Sequence, residues 1–563
     1  MPKELLHERY PEIAFLLQFT PLESFEERPL EKVILPKHLE KLEVIYVYGL
    51  GAGLYYEALE EWLSLKKERV LVFLEDKIEG IAAFLKTPFA KKVLKNSQVH
   101  IHLAVNPKMW DALLEDVVLR YPSKYIKVLA IDSYAKKLKS LSLKIYRKSS
   151  SLNALFSEVL HYHKLLKNLF PNFRRLGNSF SANQLKGRFK DIPAIICGAG
   201  PSLANCIPTL KTLEHKALIF GGGSTLSALS SHGIIPHFGM ALDPNEEEYL
   251  RLEPSSIFEN PFLYANRLLP SVFSFCNGPF GYLRTDTGGI AESFLEEKLE
   301  IVDEVIGPDL GNEAFSVTTL EVAFAKMLGC NPIILVGVDL AFTGGKRYAS
   351  GVMEDASIKI EELEKETKVE DLLLTRKDKR GNTVYTLVKW VMESDAIAKF
   401  AKKHKKHIFL NATEEGLGFK GIEDISLEKA ASQYCQKTFD LRGKIHAEIQ
   451  RAVLPQTANH AHVEKVLDEL KESLQRSKEL LEKIVQELES SKNLESGKFL
   501  ILRIDLEEEM AFDALLQQIG PVLDKMTARF FHQASEEKLF KRELSKYREI
   551  LSIVHYIQDE QRE

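Results

Sequence analysis

Short runs of consecutive apolar residues, each closed by glycine or by an acid, alternate along most of this chain with segments whose apolar positions recur every three or four residues. Apolar runs of four or five bounded by turn residues predict strands covered on both faces, and their alternation with helical patterns predicts parallel sheets. The first run, Val44-Ile45-Tyr46-Val47-Tyr48, enters Gly49-Leu50-Gly51-Ala52-Gly53, and a helical pattern follows through Leu59 and Leu63. Val70-Leu71-Val72-Phe73-Leu74 then ends on Glu75-Asp76, with further strands predicted at about Val99–Ala104 and Tyr125–Ile131. A strand, a glycine turn, a helix and a strand closing on an acid open a Rossmann-like unit. Glu75 there reads either as the partner of a ribose or as part of a scaffold that holds no ligand. The fingerprint lacks its last glycine, since Glu57 and Ala58 fill that neighbourhood.

The pattern restarts at Ile195-Ile196-Cys197-Gly198-Ala199-Gly200-Pro201-Ser202-Leu203, an apolar run into a Gly-x-Gly turn with Ser202 placed to cap the helix that follows. Such a turn lets backbone approach a ligand, and the helix beginning there points N–H groups at an anion. The N–H groups from Gly200 to Leu203 (Pro201 has none) and the Ser202 hydroxyl are thus candidates for holding a phosphate. A second strand, Ala217-Leu218-Ile219-Phe220, ends in Gly221-Gly222-Gly223-Ser224-Thr225, with Ser224 as a cap for a helix through about His232. A third, Phe238–Leu242, ends at Asp243-Pro244-Asn245, and a fourth, Pro261–Tyr264, at Asn266. Phe315–Leu328 predicts an amphipathic helix stopped by Gly329, and Ile333-Ile334-Leu335-Val336-Gly337-Val338-Asp339 a buried strand ending on an acid. Gly198, Gly200, Gly222, Gly223, Ser224, Asp243, Asn266 and Asp339 therefore all fall just past strand C-termini, where open α/β sheets bind ligands.

Beyond about residue 426 the period changes. Val463, Leu467, Leu470, Leu474, Leu481, Ile484 and Leu488 follow heptad spacing with Ser477 in the gap. Two further amphipathic runs, about Leu500–Met526 and Lys538–Ile557, complete an α-helical bundle or coiled coil suited to capping or oligomerisation. The resulting layout is a short adaptor punctuated by Pro21, Pro29 and Pro36 (1–40), a Rossmann-like domain (41–150), a helical connector ending at Pro171 and Lys186–Lys190 (151–190), a central doubly wound parallel-sheet domain (191–425) and a helical C-terminal domain (426–563).

Composition narrows the function classes. With 75 Lys and Arg against 80 Asp and Glu the net charge is −5, which argues against a nucleic-acid partner. The 5 cysteines are scattered, without metal-ligand spacing. The N-terminus lacks the apolar core of a signal peptide, and no run is long enough for a membrane span. These features predict a cytoplasmic protein.

Taken in order, Gly198–Leu203, Gly221-Gly222-Gly223-Ser224, Gly233-Ile234-Ile235-Pro236 with Asp243, Ser316-Val317, Leu328–Thr343, Tyr348-Ala349, Gly381–Thr386 and Asn411–Gly416 resemble a domain shared by two groups. One is the bacterial motility accessory factors, the Maf flagellin glycosyltransferases; the other is the archaeal 6-hydroxymethylpterin diphosphokinases of the MptE type. The central domain also resembles that of bacterial sialyltransferases. The flanking domains favour the Maf layout, because the pterin kinases are much shorter.

The Maf resemblance implies transfer of a nonulosonic, sialic-acid-like sugar from a CMP-activated donor to a protein serine or threonine, with no cofactor. Asn266 would then read a base or sugar edge, Tyr348 would donate to the leaving phosphate as tyrosines do in the sialyltransferases, and Asp243 and Asp339 would be the candidate bases. The kinase resemblance implies ATP, with Asp243 and Asp339 holding Mg²⁺. Each aspartate has a structural alternative: Asp243 as a turn cap before Pro244, Asp339 as a loop brace through backbone N–H groups. Val338 stands where Mafs carry Gln, Phe315 where they carry Gly, and no histidine stands in Gly381–Thr386. These departures favour a third reading, a degenerate nucleotide-binding scaffold.

Overall fold

The protein is described by a computed structural model covering residues 2–19, 32–36, 38–106, 108–253, 255, 259–285, 287–310, 316–352, 372–531 and 536–560. Pro21, Pro29 and Phe315 lie outside the described residues. The chain folds as two compact units, the first built from the residues up to Ser157 with Leu372 and 525–531, the second from Glu158 onward.

The first unit carries the predicted Rossmann-like sheet. Strands β1 (Val44–Tyr48), β2 (Val70–Glu75), β3 (Val99–Leu103) and β4 (Ile126–Ala130) pair in parallel in the order β3-β2-β1-β4. The order reverses between β1 and β4, the place where such sheets open a crevice. Here the crevice is filled. Gly49 has φ +93°, and a Cβ on it would fall 2.5 Å from Ile131 Cδ1 and 2.6 Å from the Tyr134 ring. Glu75 is fully buried and turned inward: Oε2 accepts from the N–H of Leu50 at 3.2 Å, and Oε1 from Asp76 at 3.1 Å, from Lys77 at 3.3 Å and from the Tyr134 hydroxyl. Of the two readings of Glu75, the geometry favours the scaffold, because the carboxylate that would meet a ribose is spent on its own turn.

The second unit centres on a nine-stranded sheet, parallel throughout: β5 (Ser179–Ser181), β6 (Ala194–Cys197), β7 (Leu218–Gly222), β8 (Phe238–Ala241), β9 (Phe262–Tyr264), β10 (Phe280–Tyr282), β11 (Ile333–Val336), and, after the antiparallel hairpin β12 (Leu373–Lys377) and β13 (Thr383–Leu387), β14 (Phe409–Asn411) and β15 (Glu423–Asp424). The order is β15-β14-β11-β6-β7-β8-β9-β10-β5. Both faces are apolar. Phe220, Phe238 and Phe324 lie in one core layer, and Ile195, Leu203, Ile219 and Ile334 in the other. β11 stops at Val336, earlier than the apolar run suggests, because Gly337 takes φ +65° and turns the chain, leaving Asp339 in a loop.

The helices that position the strand ends are α1 (Tyr162–Arg174), α2 (Leu203–Lys211), α3 (Ser224–Ser231), α4 (Glu246–Leu252), α5 (Gly289–Lys298) and α6 (Val317–Leu328). Pro171 does not end α1 as its ring would favour; it sits inside the helix. Side-chain bonds on the adjacent turn hold α1 in place: Asn172 Nδ2 donates to the carbonyls of Asn266 (2.8 Å) and Leu268 (2.7 Å), and Asn168 Nδ2 to Pro244 (3.0 Å).

At the C-terminal end, α7 (His460–Ser491) packs against α8 (Gly497–Glu507), α9 (Glu536–Glu560) and α1. Val463, Leu467, Leu470, Leu474, Ser477, Leu481, Ile484 and Leu488 are all buried, so the heptad face is used within the chain. The run predicted as one helix over 500–526 is interrupted by a π-helical turn at Phe512–Leu516. No helix among the described residues is long and apolar enough to cross a membrane.

Glu75→Ala orphans the buried N–H of Leu50 and should destabilise the first unit by about 2–4 kcal/mol, on the scale of a buried donor left without its charged acceptor. Chemical denaturation measures it, and an unchanged midpoint contradicts the brace.

Candidate functional site

The loops after β11, β6, β7, β8 and β9 emerge side by side from the carboxyl edge of the large sheet, because these strands are neighbours and parallel. They carry Asp339, the Gly198–Leu203 turn, the Gly222–Ser224 turn, Asp243 and Asn266 in that order. The chain winds from β6 towards β10 and later returns with β11 on the other side of β6, so the topological switch point lies between β6 and β11.

That point is bridged by Asp339. Its Oδ2 accepts from the N–H of Ser202 at 3.2 Å, and its Oδ1 accepts from the Ser202 hydroxyl. Gly200 permits the approach: a Cβ there would lie 2.5 Å from Asp339 Oδ1 and 2.6 Å from the Gly337 carbonyl. The loop carrying Asp339 is fixed from β14's side, with the Val338 N–H on Thr413 Oγ1 (3.0 Å) and the Leu417 N–H on the Asp339 carbonyl (2.9 Å). Burial raises the Asp339 carboxyl above the usual range, against the hydrogen bonds from Ser202.

This corrects the expected role of the first turn. The N–H groups of Gly198, Gly200 and Leu203 donate to the carbonyls of Val336, Gly337 and Gly200, and that of Ser202 to Asp339. Gly198, Gly200, Ser202 and Leu203 thus have their amides engaged, and Pro201 has none to offer. Ser202 does not cap α2 with its side chain either, its hydroxyl being committed to Asp339.

One strand over, the geometry differs. Gly223 stands before α3 with φ +51° and ψ −126°, and Ser224 is the first residue of the helix rather than its capping side chain. Among the described residues, the N–H groups of Ser224 and Thr225 find no backbone acceptor. Such orphan donors at a helix start favour an anion. Gly222 lies beneath this turn, where a Cβ would fall 1.9 Å from Val317 and 3.1 Å from Glu321 Oε1.

Around the second turn stand charged groups that the sequence reading missed. Glu248 is the residue of the Glu246-Glu247-Glu248 run that faces inward, 1 % exposed. Its Oε2 accepts from Arg251 Nη1 at 3.2 Å, and Oε1 has no partner. Arg251 Nη1 also lies 3.6 Å from Asp243 Oδ2. Burial first, and then the charge of Asp243, push Glu248 up to about 7 despite Arg251. Asp243 Oδ1 accepts from the N–H (3.2 Å) and Nδ2 (2.7 Å) of Asn245, so this aspartate does cap its turn while its other oxygen faces Arg251. Tyr348 is tied to the first turn through the next residue, whose N–H donates to the Ala199 carbonyl at 2.8 Å, and its ring carries the Arg347 guanidinium 5.3 Å above it. Asn266 is fully buried with Nδ2 and Oδ1 unpartnered, and the N–H of Leu269, three residues on, donates to the Asp243 carbonyl at 3.2 Å.

Residues 165–345, which hold this whole row of strand ends, match the family described as 6-hydroxymethylpterin diphosphokinase MptE-like. Along its full length the chain is similar in fold to the Maf glycosyltransferase from Magnetospirillum magneticum AMB-1, with a TM-score of 0.51 and 14 % identity, over 99 % of this chain and 95 % of that one. No curated protein matches the sequence.

The residues of the matched segment do not fit the Mg²⁺ role read for Asp243 and Asp339. Both oxygens of Asp339 are turned to Ser202, one oxygen of Asp243 is held by Asn245, and no group of three or more His, Cys, Asp or Glu capable of holding a metal occurs among the described residues. Two more buried acids escaped the sequence: Glu321, with both oxygens unpartnered and its carboxyl raised well above the usual range by burial, and Glu393, raised to about 7 by burial and bonded by the Ser316 hydroxyl at 2.6 Å. In a helical pattern these positions read as solvated, and no local signal sets them apart.

Asp339→Ala should destabilise the domain by about 2–4 kcal/mol, since it strips a buried N–H and a hydroxyl of a charged acceptor. An acid kept for chemistry alone would leave stability equal or higher on removal, so the sign of the midpoint shift in chemical denaturation separates the two roles.

Proposed function

We propose that this protein is a nucleotide-dependent transferase of the Maf type, moving a nonulosonic sugar from a CMP-activated donor to a serine or threonine of a protein acceptor. The observation that carries the reading is the pair of unclaimed amides at Ser224 and Thr225, with Glu248 and its partner Arg251 facing the same turn, in a chain similar in fold to a Maf glycosyltransferase over 99 % of its length. In this reading the nucleotide phosphate sits on the amides of Ser224 and Thr225, with Gly222 and Gly223 leaving the backbone open to it. Asn266 offers its unpartnered amide to a base or sugar edge. Bond breaking at the sugar leaves positive charge on the ring and negative charge on the phosphate. The amides, the Arg251 guanidinium and the Tyr348 hydroxyl stabilise the phosphate as that charge grows. Asp243, with one oxygen turned to Arg251, remains the candidate acceptor for the proton of the attacking hydroxyl. Asp339 holds the neighbouring turn and takes no part in proton transfer.

A second reading follows from the family description, diphosphoryl transfer from ATP to a pterin, and it needs Mg²⁺ where the aspartates do not assemble around one.

Incubation with CMP-pseudaminic or CMP-legionaminic acid and a serine-rich acceptor should release CMP, and Tyr348→Phe should lower kcat/KM about 100-fold, the usual scale for one donor to a developing charge. AMP release from ATP and hydroxymethylpterin, with no CMP release, selects the kinase. The absence of either product, with no thermal shift by CMP, CDP, ATP or GTP, selects a scaffold.

A further inference from the structure

Glu248 lies where a bound anion would be repelled if its carboxyl were ionised. Its partnerless Oε1 faces the second turn, 3.2 Å from where a Cβ on Gly223 would stand, and Gly223 immediately precedes the open amides of Ser224 and Thr225. The charged and titratable groups around it are few: Arg251 from its own helix α4 on Oε2, Asp243 from the end of β8 across Arg251, and Tyr348 and Glu247, which bear on Arg251. The helix α3 that packs against α4 brings hydroxyls, with Ser227 donating to the Arg251 carbonyl, and no ionisable side chain.

We propose that the turn binds its anion together with a proton: Glu248 takes the carboxylic-acid form and donates from its unpartnered oxygen to a phosphate held by the amides of Ser224 and Thr225. The proposal rests on the reading above that a nucleotide phosphate occupies this turn. No covalent bond forms or breaks; one proton passes from solvent to Oε1 and is shared with a phosphate oxygen. Two facing anions in a desolvated pocket repel strongly, whereas an acid O–H facing a phosphate oxygen makes a short, charge-assisted hydrogen bond. Arg251, already opposed by Asp243 and Glu248, then balances the phosphate once Glu248 is neutral. The free carboxyl, raised to about 7 chiefly by burial, is ready to accept the proton at neutral pH. The sign follows: the protonated form binds, so affinity is full below pH 7 and is lost as pH rises through that value.

Isothermal titration of CMP and of inorganic phosphate, in buffers of different ionisation enthalpy, tests this. For wild type, affinity should fall about tenfold between about pH 7.5 and 8.5, with proton uptake approaching one per phosphate. Glu248→Gln keeps a neutral donor, so its CMP binding should show no slope over that range, where the CMP phosphate's own titration near pH ~6 is complete; inorganic phosphate, which still titrates near neutrality, is read as the difference in proton uptake between wild type and Glu248→Gln. Wild-type binding without proton uptake overturns the proposal whether or not the variant folds, and so does a slope that survives in Glu248→Gln. Inorganic phosphate binding with a proton uptake that is lost in Glu248→Gln, without binding of CMP, upholds the proposal and removes the CMP-donor reading. Binding of neither probe overturns it.

Discussion

The bond between Asp339 and Ser202 fixes how the large sheet presents its edge. It spans the switch point, where two neighbouring strands send their loops apart and where a crevice would otherwise open. A carboxylate that accepts a backbone N–H and a hydroxyl does locally what a bound anion would do, so the first turn is already satisfied. The smaller sheet uses the same device. Glu75 accepts from Leu50 beside Gly49 and from the Tyr134 hydroxyl, and the Tyr134 ring packs against Gly49. In both sheets a glycine turn that reads as a ligand cradle is closed by an acid from a nearby strand end.

Closure of the first turn shifts attention by one strand. At Gly223 the glycine conformation directs the chain into α3 without returning the first N–H groups to the sheet, and the nearest acid, Glu248, leaves an oxygen uncommitted. Glu248 is buried against a guanidinium that a second acid also faces, an arrangement that holds a carboxyl near neutrality. Satisfied groups build the frame and unsatisfied ones mark where a ligand completes the structure. By that criterion Ser224, Thr225, Glu248 and Asn266 differ in kind from Ser202 and Asp339.

Much of this architecture was legible in the chain. Apolar runs of three to five residues closed by glycine or a polar residue gave β1, β2 and β6 to β9 with ends right to within a residue or two, since strands buried on both faces leave no other composition open. The edge strands β5 and β15 and their neighbours β10 and β14, of two or three residues, carry too little periodicity to be seen and depend on neighbours for their pairing. Pro171 misled because its helix is held by Asn168 and Asn172, which bond to loops about a hundred residues away. At the site, the sequence identified which positions gather at the strand ends and not what each does there. Ser202 reads as facing a ligand and Asp339 as either facing one or bracing a loop through backbone N–H groups; the two face one another, which is the brace. Glu248 was hidden in a run of three glutamates that reads as a helix start complementing its dipole.

A crystal structure of the protein soaked with CMP shows which turn holds the phosphate. The phosphate is expected about 3 Å from the amides of Ser224 and Thr225, with Glu248 beside it and the Asp339–Ser202 bond intact. A phosphate seated on the Gly198–Leu203 turn, with Asp339 driven away from Ser202, contradicts it.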